Sequence, residues 1–373
     1  MFERFFDFLS FKLVNIDYHR TKLLFKNEKA LLFDKNVPLE DFQEIKKRLA
    51  FYCPKMKLEP ADRNALFGLY PILIFSNEGI PNCCRYIRGG MYSINFRQNP
   101  NDGFEWIKLA SLCFDKPVNA SDSKDRFISY FTELEKKHLD KCYIFGTGPS
   151  LEKASEYDWS DGYRVVCNTI VKDKKLWSHI QPDFFVAGDT IYHFGHTQFA
   201  KAFRKDLLKR LGETHTYFLY PSIFHPIVQR EFQEYSDRCL PVPMGIHKKI
   251  HTSLVENYSL PNFENVLNLM LLPLACTLSK NVYLWGFDGR KPDDKNFWSY
   301  SSNQFYPEYF LELQEAHPRF FSHHIPKNDQ FNYIKRNLGD ELDKNLTIAE
   351  NEGFHFIMMH PSYTATLQKR YNG

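Results

Sequence analysis

The residue types able to do chemistry in this sequence sit directly behind short apolar runs. Cys142-Tyr-Ile-Phe145 leads into Gly146-Thr147-Gly148-Pro149-Ser150, and Leu151-Glu-Lys-Ala154 follows. An apolar strand, a glycine turn and a helix start, in that order, present backbone N–H groups to an anion such as a phosphate. Glycine lets a ligand approach the main chain. Pro149 gives up a donor that the first helical turn leaves unpaired, and Ser150 adds a hydroxyl. The same run also makes a plain strand–turn–helix joint, and Gly-x-Gly alone has little specificity. Its weight comes from what closes the other apolar runs. Asn168 follows Arg164-Val-Val-Cys167, Gly188-Asp189 follows Asp183-Phe-Phe-Val-Ala187, and Gly286-Phe-Asp288 follows Asn281-Val-Tyr-Leu-Trp285. His225 comes shortly after Thr216–Ser222, and His360-Pro361 ends Gly353–Met359.

These runs alternate with helical patterns at 199–211, 262–278 and 304–315. Apolar strands separated by helices predict an α/β fold, a mostly parallel sheet with helices on both faces. In such sheets ligands bind outside the carboxyl ends of the strands, where all of these polar residues fall. The first 137 residues give mixed signals. Short strands are expected at Leu23–Phe25, Ala30–Phe33 and Leu69–Phe75, an amphipathic helix at Pro38–Leu49 and loops at Arg88–Met91 and Arg97–Gly103. This predicts an α+β accessory region over 1–137, supporting the core or shaping an acceptor groove, and a nucleotide-binding domain over 138–373.

Composition narrows the classes. Aromatics form 16% of the chain, with 35 Phe and 21 Tyr, so a large packed core is expected. A net charge of +3 is too mild to argue for nucleic acid as partner. The eight cysteines include no C-x-x-C, and Cys142 and Cys167 lie in apolar runs, so reduced thiols are expected. No apolar stretch approaches the roughly 20 residues of a membrane span, and no signal peptide opens the chain. A cytoplasmic setting is expected. Phe2, Phe5, Phe6, Leu9 and Phe11 with Arg4 and Lys12 leave room for peripheral association at the inner membrane face. Asp293-Asp294 lack histidine partners, so no metal is expected.

The order Gly-x-Gly-Pro-Ser-Leu, then Cys-Asn closing the second strand, then Gly-Phe-Asp closing a later one, resembles the bacterial sialyltransferases that use CMP-sialic acid. Those enzymes fold as one modified Rossmann-like domain, and some CMP-Kdo transferases share the architecture. The resemblance covers about 142–362. It implies a glycosyltransferase moving a 2-keto sugar acid from a CMP donor to an oligosaccharide or lipid-linked surface glycan, such as lipopolysaccharide or capsule, without metal or other cofactor. By position it implies that Gly146, Thr147, Gly148, Pro149 and Ser150 wrap the phosphate, and that Asn168, Gly188, Gly286 and Asp288 line the nucleotide. The family's catalytic histidine lies in a loop before the last strand. Phe321–Asp329 corresponds here and offers His323, His324 and Lys327. The family's Thr-Ser-Gly at its long helix reads Asn265-Val-Leu here, and its assisting tyrosines have only Tyr300 and Tyr306 as counterparts.

Asp189 then has three uses: general base for the acceptor, nucleophile forming a glycosyl adduct, or helix N-cap. His324 and His225 are further catalytic candidates, with His323 equal to His324. Arg290 and Lys327 are candidates for the donor sugar's carboxylate, and solvated loop positions otherwise. Two other classes stay open. A pterin-type pyrophosphokinase would need ATP, Mg²⁺ and clustered strand-end carboxylates. A non-catalytic nucleotide- or glycan-binding module would be indifferent to loss of Asp189.

Overall fold

The computed structural model describes residues 30–34, 37–61, 96–97, 99–114, 118–289, 302–324 and 339–372. The chain divides into two compact units, Met1–Pro117 with Gln314–His324, and Val118–Leu313 with Ile325–Gly373. In the first, strands β1 (Ala30–Asp34) and β2 (Lys57–Ala61) pair in parallel, with helix α1 (Leu39–Tyr52) between them. Parallel pairing needs such a crossover. The strands expected at Leu23–Phe25 and Leu69–Phe75 lie outside the described residues. Helix α1 buries Ile45, Leu49 and Tyr52, one face at helical spacing. Tyr52 stacks at 5.5 Å on Trp106 of helix α2 (Asp102–Leu112).

A charged cluster fastens this unit. Arg48, Asp102 and His317 are all fully buried. Arg48 donates to Glu44 at 2.9 Å and also to the Asp102 carboxylate and the Ala316 carbonyl. His317 Nδ1 donates to the same carboxylate at 2.9 Å. Burial works against both charges. His317 and Arg48 nonetheless hold the Asp102 carboxyl below its usual range, and Asp102 and Glu44 raise the Arg48 guanidinium.

The second unit is built on a seven-stranded sheet, all parallel. Its strands are β3 (Lys141–Phe145), β4 (Tyr163–Cys167), β5 (Phe184–Val186), β6 (Tyr217–Pro221), β7 (Cys239–Val242), β8 (Asn281–Trp285) and β9 (His355–Met358). Their order is β7-β6-β5-β4-β3-β8-β9. The chain winds outward from β3 to β7, then returns to the other flank of β3 to lay down β8 and β9. Register is continuous through the centre, with Tyr143 opposite both Arg164 and Tyr283. Successive residues of a strand face opposite sides. Phe184 accordingly meets Phe127 of helix α3 (Ala120–Glu135) at 5.9 Å, whereas Phe185 meets Phe203 of helix α4 (Gln198–Glu213) at 6.2 Å. Both faces are covered, which is why these strands read as continuous apolar runs.

The division between units falls at 117/118 and not at 137/138. Helix α3 belongs to the sheet, because its Phe127, Tyr130 and Leu134 lie in that core, with Tyr130 stacked 3.7 Å from Tyr217. The short strand β7 escapes sequence reading because Pro241 interrupts its pattern. It is tolerated at the sheet's edge, where a missing donor costs no ladder bond. The helix expected over 262–278 runs as a π-helical turn, Leu267–Leu271, continuing into Leu272–Leu278. Asn265 starts it by accepting from the Leu267 N–H at 2.8 Å, and Pro273 cannot donate to its ladder.

Candidate functional site

Winding reverses between β3 and β8, the place where open parallel sheets leave a crevice beyond the strand ends. The glycine loop leaves β3 there, and Gly286–Asp288 leaves β8 beside it. The two loops are joined. Gly146 N–H donates to the Trp285 carbonyl and Gly148 N–H to the Gly286 carbonyl, both at 2.8 Å. These donors are therefore engaged, not bare as the sequence pattern suggests. The glycines answer first to this close approach. A Cβ on Gly146 would lie 2.5 Å from the Gly286 carbonyl oxygen. Gly286 has φ +80°, and a Cβ there would meet the Gly146 oxygen at 2.2 Å. Pro149–Glu156 then winds as a 3₁₀ helix with Pro149 at its start.

At the first turn of that helix sits a carboxylate. Ser150 N–H donates to both Asp288 oxygens, at 3.1 and 3.2 Å, and Ser150 Oγ donates to Oδ2 at 2.8 Å. An anion is at home at a helix N-terminus, and here the chain supplies it. A Cβ on Gly148 would lie 2.2 Å from the same Oδ2. The Asp288 backbone is fixed by its neighbours. Its carbonyl accepts from the Tyr363 N–H at 2.6 Å, and the Phe287 carbonyl accepts from Ser362 Oγ at 2.7 Å.

His360, beyond β9, completes the group. Its Nε2 accepts from the Gly286 N–H at 3.0 Å and lies 2.8 Å from Ser150 Oγ. Nε2 is thus the bare nitrogen, and Nδ1–H donates to the Pro361 carbonyl at 2.9 Å. One Ser150 hydroxyl proton faces two acceptors, Asp288 and His360. In the sequence His360-Pro361 stands out only as the end of an apolar run. Its signal was a histidine at a strand end next to the switch point. Trp285 packs edge-on against His360 at 5.2 Å, and its indole N–H donates to the Ser150 carbonyl at 2.9 Å.

The remaining candidates follow along the same edge in strand order. Asn168 ends β4 in the left-handed region, φ +54°, which asparagine tolerates better than most residues. Gly188 ends β5 half-buried, where a Cβ would press on Met270 at 2.9 Å. Asp189 Oδ1 accepts from Ile191 N–H at 2.8 Å and Tyr192 N–H at 2.7 Å, so it braces a turn and not the helix start expected of it; the next helix opens at Gln198, capped by Thr197. Asp189 N–H donates to Nδ1 of His193 at 3.1 Å. His193 is buried against the Phe203 ring, and burial pulls its pKa down to about 3, so it stays neutral as an acceptor. His225 opens the helix His225–Glu231 beyond β6 and takes a 2.9 Å hydrogen bond from the Tyr220 hydroxyl. Burial, then Arg126, lowers its pKa.

Other expectations are corrected or lie elsewhere. Phe321–His324 is not loop but the end of the helix Pro318–His324, started by Pro318, and Gln314–His324 packs with the first unit rather than the sheet. His323 and His324 are thereby assigned to the unit that lacks the glycine loop. Arg290, Tyr300 and Lys327 lie outside the described residues. Tyr306 is buried and its hydroxyl donates to Asp206 at 2.9 Å, a structural bond within the unit. A cleft of about 660 Å³ opens at the opposite edge of the sheet, lined by Lys137, Arg164, Asp183 and His215. Asp183 there takes Lys137 at 2.8 Å and Arg164 at 3.3 Å. No cluster of metal-ligating side chains is present among the described residues. No helix among them is long and apolar enough to cross a membrane.

The seven-stranded parallel sheet, with its polar residues gathered at the carboxyl edge, makes the second unit Rossmann-like in architecture. Comparison with protein-family models, with curated proteins and with solved structures finds no match to the chain.

Proposed function

We propose that the second unit is a glycosyltransferase that takes a 2-keto sugar acid, of the sialic acid or Kdo type, from a CMP donor to a glycan hydroxyl. One observation carries this reading: Ser150, Asp288 and His360 meet at the sheet's switch point while Asn168 and Asp189 end the next two strands. On this reading the donor phosphate lies at Ser150 and the sugar is directed toward Asp189, with Asn168 a nucleotide contact.

Strand spacing bears on two roles for Asp189. It sits two strands from the glycine loop, about 10 Å at the usual spacing. A nucleophile must stand within about 3.5 Å of the anomeric carbon, itself one ester linkage from phosphorus. A base adds the acceptor oxygen and a further hydrogen bond of about 3 Å, which brings the span to that scale. This spacing supports Asp189 as base, with inversion at the anomeric carbon, over Asp189 as nucleophile. The departing CMP phosphate would be stabilised by the Ser150 N–H and hydroxyl, given up by Asp288.

Titration calorimetry with CMP, then with ATP with and without Mg²⁺, is the first test. Metal-independent CMP binding supports the reading, and ATP binding that requires Mg²⁺ replaces it with phosphoryl-transfer chemistry. Asp189→Asn is the catalytic control, since its amide oxygen can keep the bonds to Ile191 and Tyr192. It is expected to lower transfer from the active CMP-sugar about 10²–10⁴-fold with CMP affinity nearly unchanged. Retained transfer would leave Asp189 as the brace of its turn.

A further inference from the structure

We infer that the Asp288 carboxylate is a built-in occupant of the phosphate seat, which the donor nucleotide must displace. The inference rests on the reading of the glycine loop as that seat. Of the loop's donors, Gly146 and Gly148 N–H are tied to the backbone carbonyls of Trp285 and Gly286. Those carbonyls belong to the sheet's end and cannot leave without breaking it. Ser150 N–H is bound instead to a side chain. It is the one of these three donors that can be released to a ligand.

Release does not require the loop to move. Backbone bonds from Tyr363 and the Ser362 hydroxyl hold Phe287 and Asp288, and Gly289, at φ +74°, is packed against Thr364. Rotation about the Asp288 side chain is enough. A phosphate and a carboxylate are both anions and cannot share one N–H, so entry of one expels the other. Ser150 eases the exchange. Its hydroxyl proton, now directed to Asp288, has His360 Nε2 waiting at 2.8 Å. His360 is already oriented by Gly286 N–H and Pro361, so the exchange leaves its ring in place. Asp288 is thus a negative determinant: it holds the seat ordered when empty and weakens simple anions, so that the rest of the donor must contribute the binding energy. This reverses the assignment of Asp288 as a nucleotide contact.

The test is calorimetry on the full chain, in EDTA and again in excess Mg²⁺, with CMP and separately with inorganic phosphate, comparing wild type, Asp288→Ala and Asp288→Asn. Both variants are expected to bind CMP about tenfold or more tightly than wild type, because the charged hydrogen bonds that compete with the ligand are gone. Phosphate should gain at least as much. Asp288→Asn, nearly isosteric, guards against a folding defect in the alanine variant, and near-ultraviolet circular dichroism checks both. Equal or weaker CMP binding by folded variants overturns the inference and leaves the nucleotide reading intact. Tighter phosphate with no CMP binding keeps the occupant and removes the nucleotide. Mg²⁺-dependent binding in wild type that either variant abolishes makes Asp288 a metal ligand and overturns the inference.

Discussion

At the scale of single residues, the site is governed by close backbone approach and by one buried histidine. Gly286→Ala would place a Cβ 2.2 Å from a backbone oxygen at a positive φ. A loss of about 1–3 kcal/mol or more is expected in urea unfolding of the sheet unit. Gly148→Ala should cost a similar amount, because its Cβ meets the Gly286 carbonyl at 2.6 Å as well as the Asp288 carboxylate. His193 predicts a pH dependence. Its folded pKa, about 3, lies below that of an unfolded histidine, so the unfolded chain takes up the proton first. Stability from this group is complete above about pH 6.5 and falls as the pH drops toward 3, by roughly 2 kcal/mol at pH 5. His193→Asn keeps an acceptor for the Asp189 N–H and cannot titrate. Unfolding curves at pH 7 and pH 5 should differ by about that much less in the variant. An unchanged difference would show that other groups set the acid limit.

At the scale of elements, the informative contrast is between what the helices bury. Helix α3 reads as amphipathic and buries Phe127, Tyr130 and Leu134 at the spacing its pattern implies. Helix α1 reads equally well, yet it also buries Arg48, which no pattern would place inside. The arginine is accommodated because Asp102 from α2 and the Ala316 carbonyl, far apart in sequence, converge on it. Removing one member should then cost more than removing the pair. Asp102→Ala leaves the buried Arg48 with Glu44 as its remaining carboxylate and His317 without its acceptor, and is expected to destabilise the first unit by about 3 kcal/mol. Arg48→Met combined with Asp102→Leu should cost much less. Chemical unfolding of the three proteins, followed through the buried Trp106, checks this. A double variant as unstable as Asp102→Ala would mean that packing, not charge, is what the cluster provides.

At the scale of the molecule, two units predict two responses to ligand. A nucleotide seated beyond β3 and β8 binds only the folded sheet unit. CMP at a hundred times its dissociation constant should stabilise that unit by about 2.7 kcal/mol and leave the unfolding of Met1–Pro117 with Gln314–His324 where it was. Hydrogen exchange with and without CMP separates the two, and uniform protection across both units would count against a site confined to the sheet.

The sequence by itself determined the sheet and its polar edge. Buried parallel strands must be apolar on both faces, so Cys142–Phe145, Arg164–Cys167, Phe184–Val186 and Asn281–Trp285 announce themselves, and Gly148, Ser150, Asp189 and Asp288 fall at their ends by chain order alone. Tertiary structure decided the partnerships. Strand order is set by which runs pack side by side, and only the return of β8 to the far flank of β3 puts Asp288 on Ser150, 138 residues away, with His360 beside both. The same long-range packing took Gln314–His324, and the candidate histidines with it, into the other unit, because the buried Arg48 and Asp102 needed the Ala316 carbonyl and His317 as partners. Periodicity reports which face of an element is buried. It carries no information about which distant polar group will be there to meet it.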